Sequence, residues 1–143
     1  MTHKSAKVAA LTARFAGHGF DPRYLGYFDC FNRGLYYEAH DVLEDLWLED
    51  RRGADGDFYR GLIQLAGAFV LIGKRRPRGA LALLRLAQGN LSRYPAVHLG
   101  LDVAAVLTLA DAWSTRLEAA GCDSAAGAAP HIRPPQSDVA QRD

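Results

Sequence analysis

His40 and Glu44 stand four residues apart in the run FNRGLYYEAHDVLEDLW, residues 31–47. An imidazole and a carboxylate one helical turn apart, their Cβ atoms about 5–6 Å from each other, can serve three chemistries. A carboxylate that orients a histidine makes a general base. The same two side chains supply two of the ligands a zinc or iron ion needs. As a hydrogen-bonded pair they can instead fix the register of a helix in the interior. On a wheel of about 100° per residue, Tyr36, His40, Leu43 and Trp47 share one face, with Glu44 and Tyr37 on its edge. Glu38, Asp41, Asp45 and Glu49 fall opposite. His40 is therefore expected in the middle of an apolar stripe.

A second polar pair, Arg60 and Gln64, also spaced by four, interrupts the most apolar segment of the chain, and Gly67 shares its strip. A short antiparallel turn between the two segments would bring the strips together. The expectation is a half-buried cluster of His40, Glu44, Arg60 and Gln64, edged by Tyr37 and Trp47, with the hydroxyls of Tyr36, Tyr37 or Tyr59 as further partners. In such a cluster Arg60 neutralises Glu44 and the network fixes register. A metal site lacks an evident third ligand, because Asp41, Glu38 and His98 are badly placed for it, and Arg60 would repel a cation. An acid–base site lacks a serine or cysteine nucleophile and an oxyanion loop. No catalytic residue, metal ligand or cofactor is assigned; a divalent metal held by His40 and Glu44 is the lesser alternative.

The elements that must position these groups are helices. Ser5 to Phe15 is weakly amphipathic, and GHGFDP breaks it. Asp21 then Pro22 is a helix start: an acceptor at the N-cap and a proline where its missing N–H costs nothing. That helix carries Leu25, Phe28 and Phe31 inward and stops at Gly34, a natural left-handed cap. The next runs from about Leu35 to Glu49, and the polar linker DRRGADGD follows. The helix from Asp57 to about Gly73 is apolar nearly all round, as a helix packed on several sides must be. Pro77 opens another, expected to reach about Tyr94, and the last spans about Leu101 to Ala119. No segment alternates with period two, so no strand is expected. The architecture predicted is an all-α, compact helical bundle of about five main helices round a central apolar one. Residues 1–20 form an N-terminal extension and 21–120 the single domain. Residues 121–143, with few large apolar side chains and three prolines, read as a disordered tail.

At 143 residues the chain suits one domain, and 49% hydrophobic with 23% charged residues is ordinary for a globular protein. Its formal charge of +1 gives no global case for nucleic acid or a membrane surface. Cys30 and Cys122 have no C-x-x-C spacing, which suits a reducing cytoplasm. No apolar run is long enough to span a bilayer. Charge is nonetheless segregated. Residues 29–57 hold nine acids against three arginines, and residues 58–101 hold seven bases and no acid. Lys74, Arg75, Arg76 and Arg78 make a basic turn. It is a candidate phosphate or nucleic-acid patch, although specific nucleic-acid binding is disfavoured by the scarcity of interleaved aromatics. Opposite charges on one molecule also allow a homo-oligomer.

The pattern F-N-x-G-x-Y-Y-E-A-H, the acid-rich turn ending in Trp47, then G-L-I-Q-L-A and YPAVHLGLDV, resembles domain-of-unknown-function family 309 from about Tyr27 to Trp113. Asp41 stands where that family commonly has glutamate. The resemblance implies an α-helical bundle and places His40, Glu44 and Gln64 within its motif, but it implies no activity. The functional expectation is a non-enzymatic binding or scaffold protein. The alternative is a metal-dependent or acid–base hydrolase using His40 and Glu44, and a weaker one is nucleic-acid association through the basic turn.

Overall fold

The computed structural model describes residues 3–122 and 129–136. Six helices follow in order: α1 (His3–Thr12), α2 (Pro22–Asn32), α3 (Tyr36–Asp50), α4 (Gly56–Gly73), α5 (Pro77–Leu91) and α6 (Val103–Ala120). One 3-10 turn, Ala13–Phe15, extends α1, and a two-stranded antiparallel hairpin, β1 (Val97–His98) and β2 (Leu101–Asp102), lies between α5 and α6. Each helix from α2 to α5 packs on the next, α6 packs on α5, and α1 lies across α2 and α3. Among the described residues no helix is long and apolar enough to cross a membrane.

Local chemistry sets the boundaries. Asp21 accepts the Arg23 backbone N–H at 2.8 Å and Pro22 takes the first helical position of α2. At its far end Gly34 has φ +76°, and Leu35 N–H returns to Cys30 O at 2.8 Å, which reverses the chain into α3. The α4–α5 turn closes in the same way, with Arg76 N–H on Leu71 O at 2.9 Å, but Arg75 holds the left-handed position.

The core is a file of aromatic rings. Tyr24, Tyr27, Phe28 and Phe31 of α2 are sealed against Phe58, Leu62 and Phe69 of α4. Tyr36 stacks on Phe69 at 5.3 Å, and Trp113 meets Phe69 edge-on from α6 at 5.0 Å. The Tyr27 hydroxyl donates to Leu62 O at 2.6 Å, so the one polar atom of that fully buried ring is satisfied. α4 thus touches α2, α3, α5 and α6 and is the centre of the bundle.

Several expectations differ from what is observed. α5 ends at Leu91 rather than near Tyr94, and residues 97–102 form the hairpin before α6 begins at Val103. Its turn, Leu99-Gly100, has φ of +47° and +73°, as a two-residue turn joining twisted strands requires; four paired residues are too few to show a period of two. The tail also differs. Residues 129–136 lie on the bundle, with Pro130, Ile132 and Pro135 buried and His131 and Arg133 exposed. Disorder was expected there because large apolar residues are scarce, but two prolines and one isoleucine suffice when a polar clamp holds the backbone. The rest of the expected tail, 123–128 and 137–143, lies outside the described residues.

Candidate functional site

The expected cluster is not assembled. His40 lies on α3 with 34% of its side chain exposed, Nδ1 3.3 Å from Asp41 Oδ1 and Nε2 3.9 Å from Glu44 Oε2. Lys7 of α1 stands 3.6 Å from Asp41 and 3.7 Å from Glu38. His40 and Glu44 are therefore near one another, in a half-exposed ionic strip beside α1. Arg60 is exposed on α4, and Gln64 accepts a hydrogen bond from Asn90 Nδ2 of α5 at 2.8 Å.

Glycine explains the turning apart. A Cβ on Gly61 would stand 2.9 Å from Leu91 Cγ and 3.2 Å from Asn90 Cβ, and one on Gly67 would stand 3.2 Å from Leu83 Cδ1. The strip that holds Arg60 and Gln64 is the one α5 approaches most closely. α3 meets α4 through Phe69, about 140° round the helix from Gln64 at ~100° per residue. Gly61 and Gly67 both face α5, so α5 takes this side of α4.

The edge residues separate as well. Tyr37 is 51% exposed, with Lys74 Nζ 5.2 Å from its ring centroid. Trp47 packs on the core, and its buried Nε1 has no hydrogen-bond partner among the described residues. Tyr36 stacks on Phe69 and meets Phe31 edge-on. Burial, then the charges of Asp55, Asp50 and Asp21, pushes the Tyr59 phenol up to about 12.

A histidine couple that no sequence spacing suggests is better formed. His98 Nε2 lies 2.7 Å from Asp55 Oδ1, and the ring sits 4.8 Å from both Phe58 and Tyr94. Tyr94 OH accepts the Phe58 N–H at 3.0 Å and donates to Ala54 O at 2.8 Å. These bonds tie the α3–α4 linker to the hairpin. The signal was Tyr94-Pro95 followed by His98, but its partner lies 43 residues earlier, and no helical period joins them.

Neither histidine couple has a serine, threonine or cysteine hydrogen-bonded to its imidazole among the described residues. Burial pushes the Cys30 thiol up to about 11, so it stays protonated. Among the described residues no group of three or more His, Cys, Asp or Glu is placed to hold a metal ion.

Charge is distributed unevenly over the surface. Arg23 donates to Asp21 and Asp45 at 2.9 Å and to Glu49 at 2.6 Å, and Lys7 serves Glu38 and Asp41, so much of the acidic face of α3 is engaged from within. Lys74, Arg75, Arg76 and Arg78 are exposed, and Arg76 and Arg78 have no ion pair among the described residues.

A cavity of ≈ 270 Å³ lies between the first turns of α6, the hairpin and residues 131–136. Val97, Val106, Leu109 and Ile132 give it an apolar lining, and Asp102, His131, Arg133 and Gln136 bring polar groups to its wall. The Asp102 carboxylate is already committed to the Ala105 N–H at 2.9 Å as the N-cap of α6. Another, of ≈ 350 Å³, is an open cleft between α1 and the start of α2.

Residues 24–83 match the model of the family described as Domain of unknown function (DUF309), from α2 into α5. The matched stretch includes His40, Glu44 and Gln64 and stops short of the hairpin and α6. No curated protein and no solved structure matches the chain.

Proposed function

We propose that the protein is a small, non-enzymatic, cytoplasmic binding module that takes its ligand on the face made by α6, the hairpin and residues 129–136. The observation that carries this reading is the ≈ 270 Å³ cavity, a mainly apolar pocket with polar groups on its wall. That volume is just under the ~300–1,000 Å³ of typical small-molecule sites, so it suits a small ring or one large side chain. Two free cysteines fit a reducing compartment. The hydrolase alternative has weaker support, because the His40–Glu44 contact is long, half-exposed and without a nucleophile.

The test is a fragment screen on the isotopically labelled full chain, read by amide and methyl NMR shifts. Small aromatic or branched fragments are expected to perturb Ala105, Leu109 and Ile132 together. Saturable shifts gathered round His40, or no saturable shift anywhere, would overturn the proposal.

The basic turn supports a second reading, since Arg76 and Arg78 carry charge that no acid of the described chain offsets. Binding of a DNA or RNA oligonucleotide should then weaken steeply with salt and on joint replacement of Arg76 and Arg78 by glutamine. A response flat in salt removes it.

A further inference from the structure

Residues 129–136 are held mainly by their backbone. The Asn32 side-chain amide, at the last residue of α2, donates from Nδ2 to Ile132 O at 2.8 Å and accepts the Ile132 N–H on Oδ1 at 2.8 Å. Gln136 N–H donates to Gly100 O at 3.1 Å. A Cβ at Gly100 would come within 2.6 Å of Gln136 O, so that turn leaves room for another backbone. One amide that bonds both the N–H and the C=O of a single residue recognises a peptide group, whatever its side chain. Three prolines keep the segment open, because each fixes its own φ and disfavours helix in the residue before it. Its inward and outward residues alternate from Pro130 to Arg133.

The segment does not fill its own groove. Ile132 is 4% exposed, yet the ≈ 270 Å³ cavity remains beside it, walled by Val106 and Leu109 on one side and the segment on the other. A ligand with a larger apolar side chain at the clamped position would occupy that volume as well as every backbone bond.

We infer that this groove is a binding site for an extended, proline-containing peptide of a partner protein, with an apolar side chain larger than isoleucine beside the Asn32 clamp, and that residues 129–136 are its resident competitor. This inference rests on the binding-module reading and names its ligand class. A segment of the same chain competes intramolecularly, at an effective concentration that a free peptide has to exceed. Apparent affinity for a peptide in trans therefore falls by the fraction of molecules whose groove is open.

The test uses the full chain and a fluorescent peptide with the sequence of residues 129–136, APHIRPPQ, alongside a version with phenylalanine in the place of Ile132. Anisotropy titrations compare the wild-type chain with Ile132→Asp, which evicts the resident segment, and with Ile132→Ala, a milder release should the first variant fail to fold. Circular dichroism establishes the fold of each variant. Release is expected to raise peptide affinity at least tenfold. The phenylalanine peptide should bind more tightly than the isoleucine one. Adding Asn32→Ala to the released chain should lower affinity at least tenfold.

Absence of peptide binding by folded, released chains would overturn the inference, and so would binding indifferent to Asn32→Ala. A wild-type dimer that becomes monomeric on Ile132→Ala would also overturn it, because the occupant would then be a second copy of this chain. If fragments bind the cavity while peptides do not, the peptide inference falls and the binding-module reading stands. If neither binds, both fall.

Discussion

His40→Ala separates a buried polar network from a half-exposed surface pair. If His40, Glu44, Arg60 and Gln64 formed one interior cluster, removing the imidazole would strand buried charge and cost on the order of 3–5 kcal/mol. The observed surroundings give a much smaller figure. About a third of the side chain faces solvent, and its contacts are 3.3 Å to the Asp41 carboxylate, which Lys7 also reaches, and 3.9 Å to the partly exposed Glu44 carboxylate. Partly exposed pairs of this kind contribute about 0.2–1 kcal/mol. Alanine then regains up to about 0.5 kcal/mol of helix propensity over histidine. The net loss should be under about 1 kcal/mol. Leu43, on the same face one turn on and fully buried, supplies the control: Leu43→Ala should cost roughly 2–5 kcal/mol through lost transfer energy and a cavity. The assay is urea unfolding followed by far-ultraviolet circular dichroism. With a slope of about 1–3 kcal/mol/M for a domain of this size, Leu43→Ala should lower the midpoint by about 1 M or more and His40→Ala by several-fold less. A loss for His40→Ala matching that of Leu43→Ala would refute the placement of the histidine.

Three further outcomes follow from the geometry. Tyr27→Phe deletes a 2.6 Å bond in a fully buried ring; calorimetry should show a loss of about 1 kcal/mol, and no loss would mean the hydroxyl is not bonded. Gly61→Ala puts a methyl 2.9 Å from Leu91 and 3.2 Å from the Asn90 Cβ, and overpacking the α4–α5 contact should cost roughly 1–3 kcal/mol, whereas Gly89→Ala, which meets nothing within 4 Å, serves as the tolerant control. Asp21→Asn keeps an N-cap acceptor but removes the ion pair with Arg23, while Asp21→Ala removes both and should lose about 1 kcal/mol more. The hydrogen bond from Arg23 holds the Asp21 carboxyl below its usual range. Its contribution is therefore present above the unfolded pKa of ~3.9 and is lost as pH falls through the folded value. The melting-temperature gap between wild type and Asp21→Asn should accordingly close on acidification below that range; a gap that persists in acid would refute the pair.

Local signals were legible where they depend on residues close in sequence. Asp21-Pro22, Gly34 and Pro77 mark helix ends because caps and left-handed turns are decided within a few residues, and the all-round apolarity of residues 58–72 marks α4 as central because only a helix packed on several sides tolerates it. The helical wheel centres on the apolar stripe a His40 that lies half-exposed beside Asp41, and it gives angles on one helix and is silent on which neighbour each strip meets. The positions of Gly61 and Gly67 decide that, by letting α5 take the side of Gln64. His98–Asp55 and Asn32–Ile132 escaped for a related reason: each pair joins chain segments 43 and 100 residues apart, and each partner alone looks like an ordinary loop or helix-end residue.

Asn32 can clamp a second segment because the helix it ends does not need it. Asparagine near a helix terminus often spends its side chain on the local backbone. In α2 that work is done by the main chain, since Gly34 N–H returns to Phe31 O at 3.0 Å and Leu35 N–H to Cys30 O at 2.8 Å. The amide is left to face outward toward Ile132. The other end of the groove is fixed just as firmly: Tyr24 OH donates to Leu99 O at 3.0 Å, and His98 is tied to Asp55, so the turn that presents Gly100 O is held from α2 and from the α3–α4 linker. The turn that presents Gly100 O and the main chain that carries Asn32 are thus positioned by bonds that do not involve residues 129–136. Because these anchors lie outside the resident segment, its replacement by another peptide leaves them in place and adds little ordering cost.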